Sequence, residues 1–280
     1  MKNRYRVGLS SCSKELSEAL FADFRAAGIE AIEISCRRDE CAALDFSELL
    51  RLSEKYGVEL WSFHLPFAPF SEIELSCDAT ADATVDYYAD LILRASEIGI
   101  KRFVAHPSGE PIAECDRAAR MAKSRESLAR LADIAEKHGA TIAVEDLPRS
   151  CLGRDTAEVV ELVSAHPALR VCFDTNHLLT EDAVKFIRTL GDKIVTLHVS
   201  DYDFTDERHW MPGEGDLNWQ SLIAALDEVG YDGVWMYEIV YGASRTISRE
   251  RELVPADFVK NAAELFAGEA PSLIPSVKTV

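Results

Sequence analysis

At 280 residues, with 28% charged side chains and a formal net charge of −18, the chain can bury a large core, but most of its surface repels phosphate backbones and anionic membranes. No stretch approaches the ~18 consecutive apolar residues of a membrane span, and the opening MKNRYRVGLSSCSKEL has no apolar run of signal-peptide length. Seven scattered cysteines without a C-x-x-C pair point to a reduced, cytoplasmic protein with neither a disulfide frame nor a thiolate zinc site.

In chain order, short apolar runs alternate with longer amphipathic segments. The expected strands are Tyr5–Leu9, Ala31–Ile34, Leu60–Phe63, Arg102–Ala105, Thr141–Val144, Arg170–Phe173, Ile194–Leu197 and Val234–Tyr237. Between them apolar residues recur at helical spacing, as in Leu16, Leu20, Phe24 and Ala27, or Leu128, Leu131, Ile134 and Ala135. Gly28, Gly57, Gly99, Gly139 and Gly230 close several of these segments, where a left-handed residue is wanted. The runs are too apolar for half-exposed strands, so they predict a parallel sheet covered by helices. Eight such units close into an α/β fold, the (β/α)8 TIM barrel. A doubly wound open sheet is the alternative, weakened by the lack of a G-x-G-x-x-G turn after the first strand and of a P-loop. No linker divides the chain. Residues 1–267 are expected to form one catalytic barrel domain, and residues 268–280, GEAPSLIPSVKTV, a loosely packed or disordered tail.

The chemistry lies at the ends of the runs. Six of the eight stop directly on a metal-competent residue: His64, His106, Glu145, Asp174, His198 and Glu238. All strand C-termini of a barrel open onto one face, so these side chains are expected to converge there. Clustered carboxylates repel one another unless a cation sits among them, and a divalent metal is the simplest resolution. A single histidine at a strand end is more often a hydrogen-bonded structural group than a ligand, but six such endings at regular intervals argue for one common cause. The stretch Ile194–Gly215 adds Glu207 and His209 just before a Pro212-Gly213 turn. His138 and His166 sit near helix C-termini and read as structural. Cys36 and Cys172 read as core thiols.

The endings SFHLP, VAHPSGE, AVEDLP, FDTNH, LHVSD and MYEIV, together with RHWMPGEGDLNW, resemble the xylose isomerase-like TIM barrel superfamily over nearly the whole chain. That superfamily contains sugar and sugar-phosphate isomerases and epimerases, inosose-processing enzymes and endonuclease IV. The resemblance implies a metal site on Glu145, Asp174, His198 and Glu238, with Glu145 and Glu238 also serving as the acid/base pair, and a substrate contact at His177. The implied cofactor is one divalent ion, manganese, zinc, cobalt or magnesium, since carboxylate and imidazole ligands do not choose among them. The implied reaction is isomerisation or epimerisation of a ketose or polyol-derived substrate by proton transfer.

His64, His106, His177, Glu207 and His209 also match positions where endonuclease IV supplies ligands for additional zinc ions. His209 stands where the epimerase branch commonly has arginine. A phosphoesterase or lyase with two or three ions is therefore the alternative, and a non-catalytic sugar-binding barrel the third reading. The acidic loops DYDFTDE, SGEPIAECD and FSEIELSCD argue against nucleic acid. Arg149, Arg208, Arg37 and Arg38 are the basic residues expected near the mouth, with Arg149 a candidate substrate contact alongside His64, His106, His177 and His209. Leu65–Phe70 reads as a stiff apolar cover, Trp210 and Tyr241 as rings able to stack on a sugar, and Glu33 as pointing into the mouth or pairing with an arginine. The expected partner is a small sugar-like molecule, with no membrane; homo-oligomerisation is left open.

Overall fold

The computed structural model describes residues 5–12, 14–67, 72–242 and 244–279. Eight parallel strands, β1 (Arg6–Ser10), β2 (Ala31–Ser35), β3 (Glu59–His64), β4 (Arg102–Ala105), β5 (Thr141–Glu145), β6 (Arg170–Asp174), β7 (Ile194–His198) and β8 (Val234–Tyr237), form one sheet in the order β7-β6-β5-β4-β3-β2-β1-β8. A bridge between Val199 and Tyr237 joins its two edges: Val199 N–H donates to Met236 O at 2.8 Å and Glu238 N–H to Val199 O at 3.2 Å. The fold is the expected (β/α)8 barrel. His64, Glu145, Asp174 and His198, which follow the apolar runs in sequence, are the last residues of β3, β5, β6 and β7. Ladder pairing therefore fixes their backbones; Asp174 is registered directly opposite His198, and Glu145 opposite Cys172.

The helices α1 (Glu18–Ala27), α2 (Arg38–Ala42), α3 (Phe46–Tyr56), α4 (Ala81–Glu97), α5 (Arg117–Lys137), α6 (Thr156–Val163), α7 (Ala183–Leu190), α8 (Trp219–Glu228) and α9 (Pro255–Phe266) surround the sheet. Local chemistry sets several of their ends. Ser17, Asp45 and Asp155 accept the free N–H groups of the first turns of α1, α3 and α6. Gly28 and Gly57 take the positive φ values, 90° and 63°, that end α1 and α3. Between sheet and helices lies a buried apolar layer rich in phenylalanine, including Phe21, Phe24, Phe63, Phe103, Phe173, Phe186 and Phe258. Two smaller clusters, Ala31, Trp61, Val234 and Met236, and Val104, Ala143 and Cys172, pack separately from it. Gly8 permits the first, since a Cβ there would lie 2.6 Å from Val234 Cγ1.

After β8 the chain forms a small antiparallel ladder between β9 (Ile247–Arg249) and β10 (Ser276–Lys278). The segment beyond Gly268 thus has paired backbone although the side chains of β10 are exposed. One expectation is corrected here: Cys36 is not a free core thiol but is joined to Cys41 by a disulfide across five positions, on the loop and short α2 after β2. Cys172 is a buried free thiol, as expected. Among the described residues, no helix is long and apolar enough to cross a membrane.

Candidate functional site

Four strand-end side chains meet at one point. A ligand atom from each of Glu145, Asp174, His198 and Glu238 lies within 4.8 Å of the other three. His198 Nδ1 is 2.9 Å from Glu145 Oε1, 3.4 Å from Glu238 Oε2 and 3.9 Å from Asp174 Oδ2. The opposite ring nitrogen, Nε2, is 3.0 Å from Glu33 Oε1. Glu33 is fully buried and also accepts the Ser62 hydroxyl at 2.7 Å, so it faces the imidazole rather than an arginine. A carboxylate on Nε2 holds the proton there and turns Nδ1 toward the other three groups.

The electrostatics are those of a crowded anionic cup. Burial opposes charge on all three carboxylates, and they divide according to their neighbours. At Glu145 the imidazoles of His198 and His106 overcome burial and hold the carboxyl well below its usual range; Glu238 is lowered against burial mainly by His198. At Asp174 burial prevails over His177, with Glu238 and Glu145 adding repulsion, and its pKa is pushed up to about 6. Asp174 Oδ1 accepts the Asn176 N–H at 2.7 Å, but Oδ2 is buried with no hydrogen-bond partner. A lone carboxylate oxygen beside two more carboxylates and an imidazole nitrogen is a donor set that fits a divalent cation with oxygen and nitrogen ligands.

Three further imidazoles are fixed by main-chain carbonyls. His64 Nδ1 donates to Leu65 O at 3.0 Å, His177 Nδ1 to Asp146 O at 2.8 Å, and His209 Nδ1 to Glu238 O at 3.2 Å. A carbonyl can only accept, so each Nδ1 carries the hydrogen. His64 Nε2 and His106 Nε2 both approach Glu145 Oε2, at 3.2 and 3.0 Å. His177 Nε2 lies 3.4 Å from Glu207 Oε2. Among the further groups whose ligand atoms lie equally close are His64 with His106 and Glu145, and His177 with Glu207 and His209.

Above the quartet opens a cavity of about 410 Å³ bordered by Glu145, Glu238, His64, His106, His177, Glu207 and His209. The structure thus gathers all nine sequence-predicted ligands around one mouth. Arg149 also borders the cavity, with a left-handed φ of 54°. It is not free: Glu110 takes its guanidinium from one side, Asp206 Oδ1 at 2.7 Å and Glu207 Oε1 at 3.4 Å from another. Arg208 is paired with Asp203, and Arg37 and Arg38 are exposed and paired with Asp39, Glu40 and Glu72.

Two aromatic expectations are corrected. Trp210 is fully buried, its indole donating to Thr246 Oγ1 at 3.1 Å, and it does not border the cavity. Tyr241 packs on Phe258 under Lys14 and does not border it either. Of the Leu65–Phe70 segment, positions 68 to 70 lie outside the described residues; Phe67 reaches the cavity and stacks on His106 at 4.0 Å. Sequence reasoning missed Asp146, fully buried, which accepts the Asp174 N–H at 2.8 Å and positions His177 through its own carbonyl. Its signal was a second acid directly after a strand-end glutamate.

Residues 21–257 match the family model described as xylose isomerase-like TIM barrel. An uncharacterized protein of Methanocaldococcus jannaschii is 28% identical over 195 residues, covering 66% of each chain. Fructoselysine 3-epimerase of Escherichia coli is 28% identical over 147 residues, covering 47% of this chain and 53% of the relative. The chain therefore spans less than two thirds of the length of either relative. The crystal structure of a D-tagatose 3-epimerase-like protein superposes with a TM-score of 0.73 at 26% identity, covering 83% of this chain and 89% of the other.

Proposed function

The chain belongs to the xylose isomerase-like TIM barrel family, and from that membership we propose that it is a divalent-metal-dependent epimerase or isomerase of a small sugar-like hydroxy-ketone. The observation that carries this reading is the quartet, with Asp174 Oδ2 buried and making no hydrogen bond and with two of its carboxylates, Glu145 and Glu238, bordering the cavity. The sugar epimerases named among its relatives support the reaction class.

Glu145, Asp174, His198 and Glu238 would hold the ion, with Glu33 steering His198. A divalent ion held there would supply Lewis acidity, making the substrate C–H next to the carbonyl easier to deprotonate. Glu145 and Glu238 are the proton carriers: one carboxylate removes the proton and the other returns it to the opposite face. The imidazoles keep Glu145 ionised at neutral pH, as a base requires. His177 orients the substrate beside the transferred proton, and its main-chain anchor fixes which nitrogen it presents.

The second reading, a multinuclear phosphoesterase or lyase, is favoured by the groupings of His64 with His106 and Glu145 and of His177 with Glu207 and His209. Metal analysis separates them: one tightly held ion per chain accords with proton transfer, two or three with hydrolysis. For the leading reading, the metal-loaded enzyme incorporates solvent deuterium into a responsive hydroxy-ketone. Glu145→Gln and Glu238→Gln each lower exchange by roughly a hundredfold or more while circular dichroism stays native. Exchange retained in both variants would overturn the acid/base assignment.

A further inference from the structure

The cavity above the quartet presents two kinds of surface. Its base carries the groups suited to a hydroxy-carbonyl head, the two glutamates and the imidazoles. Its sides are Phe67, Ile73, Leu75, Leu147, Ile239 and Val240, brought in by the loops after β3, β5 and β8. Three of the polar groups that interrupt this wall have partners within the protein. Glu74 accepts the Gly109 N–H at 2.7 Å and the Ser76 hydroxyl at 2.6 Å, and pairs with Arg120 at 3.1 Å. Ser108 Oγ accepts the Leu152 N–H, and Tyr88 donates its hydroxyl to Pro66 O. A chain hydroxylated along its length would leave hydroxyls desolvated against aliphatic carbon, which weakens binding at each one.

Charge points the same way. Among the described residues Arg149 is the one lysine or arginine bordering the cavity, and three carboxylates share it. A substrate phosphate or carboxylate would meet no unneutralised cation there, only a surplus of negative charge. Resting on the proton-transfer reading above, we propose that the substrate is an uncharged hydroxy-ketone whose chain beyond the reacting carbons is apolar, rather than a sugar phosphate or a sugar hydroxylated throughout.

The test uses the full-length, metal-loaded protein and a set of ligands with one common head: acetoin, its alkyl-extended acyloin homologues, a ketohexose, and that ketohexose carrying a terminal phosphate. Solvent deuterium incorporation reads kcat/KM for each. Every added methylene raises kcat/KM by about fourfold until the wall is filled. The ketohexose falls below the acyloin of equal chain length, and the phosphate lies lower still, by about tenfold or more. Phe67→Ser shrinks the gain per methylene. A ketohexose or its phosphate that outperforms the matched acyloin overturns the proposal and leaves the proton-transfer reading standing. If even acetoin fails to exchange, that reading falls, and calorimetry of acyloin binding to the metal-free protein decides the present one alone. A heat capacity of binding that becomes more negative with each methylene supports an apolar subsite, and one that does not change with chain length overturns it.

Discussion

Glu33 shows how much of the centre rests on a side chain that touches neither cavity nor substrate. It stands alone as an acidic residue in the strand AIEIS and is wholly buried, with Ser62 and His198 as its hydrogen-bond partners. Replacing it by glutamine keeps the shape but removes the carboxylate that fixes the His198 tautomer. Glu33→Gln should weaken divalent-ion affinity by about 10–100-fold, measured by calorimetric titration, with secondary structure unchanged; undiminished affinity would remove Glu33 from the centre. Protonation sets a second expectation. Ion binding needs Asp174 ionised and the ligating nitrogen of His198 free, while the metal-free protein holds Asp174 at about 6 and His198 well above its usual value, the latter because Cys172, Glu238 and Glu33 overcome burial. Protons therefore compete with the ion: uptake releases protons, and apparent affinity falls as pH drops through about 6. Titrations in buffers of different ionisation enthalpy across that range would count the protons released. At this scale the strand-end quartet was legible in sequence because each of its members directly follows an apolar run. Trp210 was not, since its burial depends on Thr246, 36 positions on. Nor was the Cys36–Cys41 disulfide, because nothing in CRRDEC announces the turn of α2 that brings the two sulfurs together.

The same division holds for elements. Strands were readable to within a residue or two, because a barrel strand buried on both sides must be apolar throughout. The loop after β7 was readable only as a carrier of Glu207 and His209; what holds it is tertiary. Asp201 accepts the N–H groups of Gly213 at 2.7 Å and Leu217 at 3.2 Å and the Trp219 indole at 2.9 Å. Gly215 lets the chain pass close by, since a Cβ there would sit 2.3 Å from Asp201 Oδ1. Glu214 then pairs with Arg249 of β9 at 2.6 Å, both side chains only 2% exposed. Buried pairs are costly to break because the survivor stays charged out of water. Arg249→Leu should lower stability by about 3–5 kcal/mol, measured by urea unfolding, and should impair Glu207 and His209 more than the strand-borne quartet. A variant of unchanged stability would show that this pair does not fasten the loop.

Across the whole molecule, six of the eight repeating units deliver a histidine or carboxylate to one mouth, and three of these are carboxylates within a few ångströms of His198. Metal-free, the barrel must tolerate this crowding by protonating Asp174 in part and by charging imidazoles that burial disfavours. On the proposed reading an ion would remove the conflict and would bind only where the four strands are assembled, linking it to folding of the entire barrel rather than of one element. The linkage has a size: at a free ion concentration about 100-fold above Kd, the folded state gains about 2.7 kcal/mol. For a chain of this length, 1 kcal/mol moves Tm by roughly 2–4 °C, so saturating metal should raise Tm by roughly 5–10 °C over chelator-treated protein. The same comparison with Asp174→Asn serves as control. It removes one of the three carboxylates and so relaxes the metal-free cup, which should leave chelator-treated Tm equal or higher while the gain on adding metal shrinks. Scanning calorimetry of the two proteins, with and without ion, measures both quantities. A wild-type Tm indifferent to metal would mean that the convergence of these side chains is satisfied by hydrogen bonds alone.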